Sequence, residues 1–231
     1  MKIYYHPAST TSRPVMLFVA ENGIEADLQL VDLFTGEHYR EPFEGINPNH
    51  LVPVLEDDGF RLTESSAILK YLADKIGSPA YPKDLRERAR VNERMDWINT
   101  QVCRDFAYGY VYPQIFPTHK RPSAEVQAAT LAWSRERAIG WMRVLDEHLI
   151  GPKRTYLCGD QITIADYFGA SFVALGELIR GDYAAFPNVE RWLAAMKRLK
   201  HWSKVNEVIH GFAASLNDTS LQPLWSKEHR A

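Results

Sequence analysis

Strand-like patterning stops before the middle of this chain, and that limits the fold more than any other feature. Ahead of Gly77-Ser78-Pro79-Ala80-Tyr81-Pro82 the apolar residues switch between alternating and helical spacing; beyond it only helical spacing occurs. Lys2–Tyr5 is a short strand-type run ended by His6-Pro7. From Thr11 to Glu21, Val15, Leu17, Phe18 and Val19 recur at helical intervals, and Asn22-Gly23 stops the helix. Asp27–Asp32 alternates Leu28 and Leu30 with polar neighbours, as a second strand does. Tyr39–Ile46 reads as a short helix. Val54-Leu55-Glu56 and Phe60–Thr63 flank Asp57-Asp58-Gly59, which predicts a hairpin. Ser65–Lys75 carries Ile68, Leu69 and Leu72 on one helical face. The order β-α-β-α-β-β-α fits an α/β domain, a single four-stranded sheet with helices on its faces.

The composition of 77–82 marks a linker. After it come two long helical periods, Leu85–Tyr112 and Ser123–Leu149, with Pro113, Pro117 and Pro122 expected to interrupt them. Thr163-Ile164-Ala165-Asp166 has the spacing of a capping box, with Ile162 and Tyr167 placed as a hydrophobic staple. Pro187 opens a further helix with Trp192, Leu193, Met196 and Leu199 as its apolar stripe. The expected division is a first domain over 1–77, a linker over 78–84 and an all-α domain over 85–231. The tail from Ala213 is expected to lie on the surface, anchored by Leu224 and Trp225, and to shield a binding cleft.

Charge and cysteine content exclude several function classes. The net charge of −2 supplies no basic field for nucleic acid or acidic membranes. The N-terminus lacks the apolar stretch of a secretion signal, and no run of about 18 apolar residues suggests a membrane span. Two cysteines, Cys103 and Cys158, cannot form a disulfide framework in 231 residues. A cytoplasmic location is the expectation. There is no phosphate-binding glycine loop, no dinucleotide fingerprint, no nucleophile elbow and no CxxC, and the eight histidines show no metal-ligand spacing.

Three groups of residues remain that could carry chemistry. Pro7-Ala8-Ser9-Thr10-Thr11-Ser12-Arg13 places four hydroxyls at the mouth of a helix, whose N–H groups and partial positive charge favour an anion. In Asn47-Pro48-Asn49-His50-Leu51-Val52-Pro53, a cis proline would turn the backbone N–H and C=O of Val52 toward a ligand. Glu64-Ser65 opens a helix, and its carboxylate and N–H groups could hold an α-amino and an α-carboxylate. Each also reads as ordinary helix capping or a plain turn, and the residues alone leave both readings open.

Taken together, Ser9-x-x-Ser12-Arg13, His38, His50-Leu51-Val52-Pro53 and Glu64-Ser65 resemble the cytosolic glutathione transferases, most of all the serine-type theta and delta classes. Arg104–Phe116 resembles the fourth helix of the delta type, and Thr163–Asp166 matches the family's capping motif. Ser12 stands where a cysteine is frequent and Ser66 where an arginine is frequent. The resemblance implies a thioredoxin-like first domain, an all-helical second domain and an S-transferase activity that takes glutathione as co-substrate, with no metal or other cofactor.

It further implies a role for each matching residue. Ser9 is the catalytic hydroxyl, His38 and His50 meet the glycyl end of glutathione, Val52 and Pro53 present the main chain to its cysteinyl backbone, and Glu64 and Ser65 hold its γ-glutamyl end. One hydroxyl bonded to the sulfur, worth roughly 1.5–3 kcal/mol, would lower a thiol pKa of about 8.5 by about 1–2 units and leave it largely ionised at neutral pH. Tyr108 and Tyr112, an i, i+4 pair, are expected to line the site of a small hydrophobic electrophile between the domains. The family pattern implies a homodimer, with the row Arg86, Arg90 and Arg94 facing the partner. A glutathione-dependent disulfide reductase or peroxidase, an isomerase or dehalogenase, and a non-catalytic glutathione-binding protein share these motifs.

Overall fold

The first strand of the chain becomes the interior of a sheet because both its edges find partners. In a computed structural model, which describes residues 1–216 and 220–225, β1 (Lys2–Tyr5) pairs in parallel with β2 (Asp27–Leu30) and antiparallel with β3 (Val54–Asp57), which pairs antiparallel with β4 (Phe60–Leu62). The order is β2-β1-β3-β4. Ile3, Val54 and Leu55 are fully buried. The registers Tyr5↔Leu30, Tyr4↔Val54 and Leu55↔Leu62 fix the polarity of the loops. The ends of β1, β2 and β4 and the start of β3 all open at one edge of the sheet, so segments far apart in sequence meet there.

Helix α1 (Ser12–Glu21) follows β1, α2 (Phe43–Ile46) lies between β2 and β3, and α3 (Ser65–Lys75) follows β4. The expected helix over 39–46 is split. A 3₁₀ turn covers Glu37–Tyr39, Arg40 is extended, and Glu41-Pro42 is a cis peptide before α2 begins. Proline disfavours helical backbone at the residue ahead of it, and Pro42 has no N–H to give a continuing helix.

The second half is helical. In α4 (Leu85–Trp97) the Asp84 carboxylate accepts the Arg86 and Glu87 N–H groups. The winding then widens to the π form over Ile98–Val111 and runs on into α5 (Tyr112–Ile115). Pro113 therefore does not interrupt the helix as the sequence suggested: it falls where the winding passes from the π form into α5. Ser123 caps α6 (Ala124–Val144), which continues π-wound through Leu145–Ile150.

The capping box of α7 (Ile164–Val173) is formed, and buried Asp166 does more than cap. Its carboxylate accepts from the Thr163 N–H and hydroxyl, the Leu157 N–H and the Trp192 indole. After α8 (Leu175–Leu178), α9 (Pro187–Lys197) and α10 (Trp202–Ser215) complete the bundle. Among the described residues no helix is long and apolar enough to cross a membrane.

The two halves share one hydrophobic core. Phe18 of α1 stands edge-on to Tyr167 of α7, 5.3 Å between centroids. Arg13, 2% exposed, reaches across to donate to the Asn206 amide oxygen of α10 at 2.6 Å and, at 3.5 Å, to the Ser171 carbonyl of α7. Arg94 departs from the expected row of arginines facing a partner subunit. It is buried, donating to the Leu157 carbonyl and paired with Glu93, because its position on α4 faces the core.

Of the tail, residues 220–225 lie on the helical half. Leu224 is buried, Trp225 packs on Phe186, the Tyr110 phenol donates to the Gln222 and Pro223 carbonyls, and Arg135 donates to that of Leu224. Residues 217–219 and 226–231 of the expected surface tail lie outside the described residues.

Candidate active site

Four of the loops at the active edge of the sheet carry the residues singled out above, and each is shaped by local chemistry. After β1 the chain turns at Pro7 and Ala8. The Ala8 N–H donates to His6 Nδ1 at 3.1 Å, which places the ring proton on Nε2, and the Ser9 N–H donates to the His6 carbonyl at 3.0 Å. Ser9 sits just ahead of α1, its Oγ accepting from the Ser12 N–H at 3.2 Å and lying 3.1 Å from Thr11 Oγ1. The Thr11 hydroxyl donates to the Val52 carbonyl at 2.8 Å. Ser9 is half-buried, whereas Thr10 and Ser12 are buried.

The loop ahead of β3 is organised by Asn47, which is 2% exposed. Its amide donates to the Leu51 carbonyl at 2.7 Å, its oxygen accepts from the Asn49 N–H, and its carbonyl accepts from the His50 N–H. Val52-Pro53 is a cis peptide. His50 has φ 55°, a left-handed backbone uncommon for a side chain of this size. Its ring donates from Nδ1 to the His38 carbonyl at 2.9 Å; a carbonyl only accepts, so the neutral ring offers Nε2 as an acceptor. The His38 ring lies tilted against Tyr39, 3.9 Å between centroids, and Tyr39 lies 5.3 Å from His50. Burial, and then the nearby His50, hold His38 below the usual imidazole range, and its Nδ1 is buried without a partner among the described residues.

At the third position Glu64 takes φ 63°, a second left-handed residue, and leads into buried Ser65 at the start of α3. Strained backbone of this kind costs of order 1–3 kcal/mol and gathers at ligand sites. The Glu64 carboxylate faces the helical half: after burial, its charge is a further cause that raises the Cys103 thiol, to about 11, and, together with Cys103, the Tyr108 phenol.

Tyr108 is 45% exposed, and its ring lies 4.9 Å from that of Tyr112. Tyr112 is buried, its phenol driven well above the usual range by burial while it donates to Thr10 Oγ1 at 2.7 Å. The helical half thus reaches to one residue from Ser9. An aromatic wall continues the pair: Tyr112 to Phe116 at 5.4 Å, Phe116 stacked on Phe212 of α10 at 5.5 Å, and Phe212 stacked on Phe34 of the first half at 6.3 Å. His119 closes the wall against Tyr108, Tyr112 and Phe116.

Sequence reasoning singled out Tyr108 and Tyr112 but missed Phe34, Phe212 and His119, which are scattered across the chain with no local pattern to unite them. It also missed His6, and it took Thr11 only as one of four hydroxyls at the helix mouth. For Thr11 a signal existed, since a hydroxyl two positions after Ser9 is within reach of it.

This arrangement is built to donate rather than to deprotonate. Among the described residues Ser9 Oγ bonds only to a hydroxyl and a backbone N–H, whereas a serine nucleophile needs a base within hydrogen-bond reach. The helix start adds partial positive charge. Among the described residues no group of three or more His, Cys, Asp or Glu side chains could hold a metal ion. Burial pushes Cys103 and Cys158 both up to about 11, so neither is a thiolate at neutral pH.

A thioredoxin-like sheet joined to an all-helical bundle defines a class of two-domain proteins, and sequence similarity places the chain within it. Residues 8–75 match the model of the glutathione S-transferase N-terminal domain, and residues 106–200 that of the glutathione S-transferase C-terminal domain. The chain is 30% identical to a delta-class glutathione transferase of Nilaparvata lugens, with 92% of this chain and 96% of that chain covered and a TM-score of 0.75. It is 28% identical to apo human glutathione transferase T1-1 (92% and 90% covered, TM-score 0.79). It is 27% identical to human glutathione transferase theta-2 solved with glutathione and an unknown ligand (98% and 94% covered, TM-score 0.80). The chain belongs to the glutathione S-transferase family.

Proposed function

We propose that the protein conjugates glutathione to small electrophiles, with Ser9 as the donor that stabilises the glutathione thiolate. The observation that carries this reading is the Ser9 hydroxyl itself, set at the start of α1 with only donors and hydroxyls around it and joined through Thr11 to the Val52 carbonyl. In this reading the first 77 residues hold the tripeptide. Val52, ahead of Pro53, pairs with its cysteinyl backbone, His38 and His50 take the glycyl carboxylate, and Glu64 and Ser65 take the γ-glutamyl amine and carboxylate. The sulfur then lies beside Ser9, in front of Tyr108 and the edge of Tyr112, where the helical part over 85–231 receives an apolar electrophile. The inert state of Cys103 and Cys158 leaves glutathione as the only reactive thiol.

Ser9→Ala tests the assignment. Loss of one hydrogen bond to a charged group raises the bound thiol pKa by about 1–2 units and slows conjugation roughly 10–100-fold near pH 6.5, with the deficit shrinking as pH rises. A spectroscopic titration of bound thiolate that gives the same pKa in Ser9→Ala and wild type refutes the assignment. The protein is further proposed to act in the cytoplasm as a homodimer; the half-exposed Phe60 of β4 and the exposed Trp133 of α6 are apolar surface that a second copy would cover, and light scattering tests it.

A further inference from the structure

The hydrogen bonds around Ser9 pose a question of direction. Thr11 has one hydroxyl proton, and the Val52 carbonyl, 2.8 Å away, can only accept it. The 3.1 Å contact between Ser9 and Thr11 is therefore donated by Ser9. Ser9 Oγ in turn accepts the Ser12 N–H. In the free protein the single Ser9 proton thus points at Thr11 and is not offered to the cleft. The chain Ser9 → Thr11 → Val52 carbonyl ends on the group that, in the function proposed above, receives the cysteinyl N–H of glutathione.

We propose that Thr11 is a positioning residue that turns the Ser9 proton toward the sulfur when glutathione occupies the Val52 carbonyl. The incoming amide N–H competes with the Thr11 hydroxyl for that oxygen. Thr11 then rotates about its Cα–Cβ bond or its C–O bond and donates to Ser9 Oγ, 3.1 Å away, so the Ser9–Thr11 bond reverses. Ser9 now accepts from both Thr11 and the Ser12 N–H and has its own proton free for the sulfur. Two donors onto one hydroxyl polarise its O–H, and such chains strengthen each member by about 10–30%. The thiol proton leaves to water; no covalent bond is made or broken within the protein. A bound tripeptide backbone thereby becomes the condition for a full-strength donor at Ser9, and a thiol without that backbone does not trigger it.

The inference rests on the Ser9 reading, and the test separates the two. The bound thiolate of glutathione is titrated spectroscopically in wild type, Thr11→Val, Thr11→Ala, Thr11→Ser and Ser9→Ala, each checked for an unchanged circular dichroism spectrum. Thr11→Val and Thr11→Ala are expected to raise the thiol pKa and lower conjugation below that pKa by about two- to fourfold, the size of the lost cooperative strengthening. Thr11→Ser, which keeps the hydroxyl, is expected to restore both. With 2-mercaptoethanol as the thiol, Thr11→Val should show no loss of rate. A thiol pKa that is unmoved or lowered in Thr11→Val and Thr11→Ala, with Ser9→Ala still raising it, overturns the relay alone. An unmoved pKa in Ser9→Ala overturns both. Should Thr11→Val fail to fold, Thr11→Ala and Thr11→Ser decide it, because their pKa difference carries the same sign.

Discussion

Arg13 is a charge buried between the two halves of the protein, and its energetics yield a prediction with an unusual sign. The guanidinium is 2% exposed and has no carboxylate partner; it makes one good bond, to Asn206, and a long one to the Ser171 carbonyl, and its Nε is unpaired among the described residues. Burial lowers it from the ordinary 12.5 to about 10, offset only slightly by Tyr112. At about 1.4 kcal/mol per pH unit, the charged form is disfavoured in the fold by about 3 kcal/mol at neutral pH. This penalty applies in full below the folded pKa and is relieved only as pH rises beyond it.

Replacing Arg13 with methionine removes that cost and leaves the Asn206 oxygen unsatisfied, a loss of about 1–3 kcal/mol. The two nearly cancel, so Arg13→Met is expected to change stability by less than about 1 kcal/mol. Asn206→Leu instead strips the guanidinium of its main partner and leaves a buried charge unsatisfied, a loss above the roughly 1–3 kcal/mol of a neutral group. The double variant should recover most of this. Urea denaturation of all four proteins at pH 7.5 measures the cycle. Asn206→Leu no more damaging than Arg13→Met would refute the reasoning.

Two other predictions follow from burial. His6 is held below the usual imidazole range chiefly by burial, more than Asp32 offsets and with a smaller push from His38, so the unfolded chain takes up its proton first as pH falls. The His6 contribution to stability is whole above the unfolded value of about 6.5 and is lost as pH drops toward the folded value; protonation also removes the acceptor for the Ala8 N–H. The denaturation midpoint should fall between about pH 7.5 and 5.5, less steeply in His6→Asn, and an equal slope in the two would count against it. Leu224→Ala empties a buried site under the tail and should cost about 2–5 kcal/mol while the KM for glutathione stays unchanged; a thermal midpoint equal to wild type would sink the anchoring role.

The sheet was legible because each of its strands has a clear pattern and a turn signal, as at Asp57-Asp58-Gly59. The short helix over 39–46 was not, since Pro42 alone gives no sign of whether it starts a helix or breaks one. The π winding of Ile98–Val111 leaves no trace in apolar spacing that an α-helix would not also leave. For the site, loop composition pointed to the segments 7–13, 47–53 and 64–65, the resemblance to a family picked Ser9, Val52 and Glu64 within them, and the sheet polarity gathers them at one edge. Arg94 was misjudged because an arginine in an i, i+4 row reads as part of an outward face, whereas the Leu157 carbonyl, far along the chain, holds it inward. Phe34, Phe116 and Phe212 meet through tertiary packing, which no local pattern encodes.

The shared face between α1 and α7 bears on how relatives of this chain could be recombined. A crossover at the 77–82 linker looks natural, since composition changes there. It would separate Phe18 from the Tyr167 ring it stands against, and Arg13 from Asn206. A chimera cut at that point inherits a guanidinium aimed at a foreign helix, whereas one that carries residues 12–21 together with 164–173 and 202–215 keeps both of these pairings. The unit that can be exchanged is therefore a set of three helices drawn from both halves, and the linker is a poor place to cut.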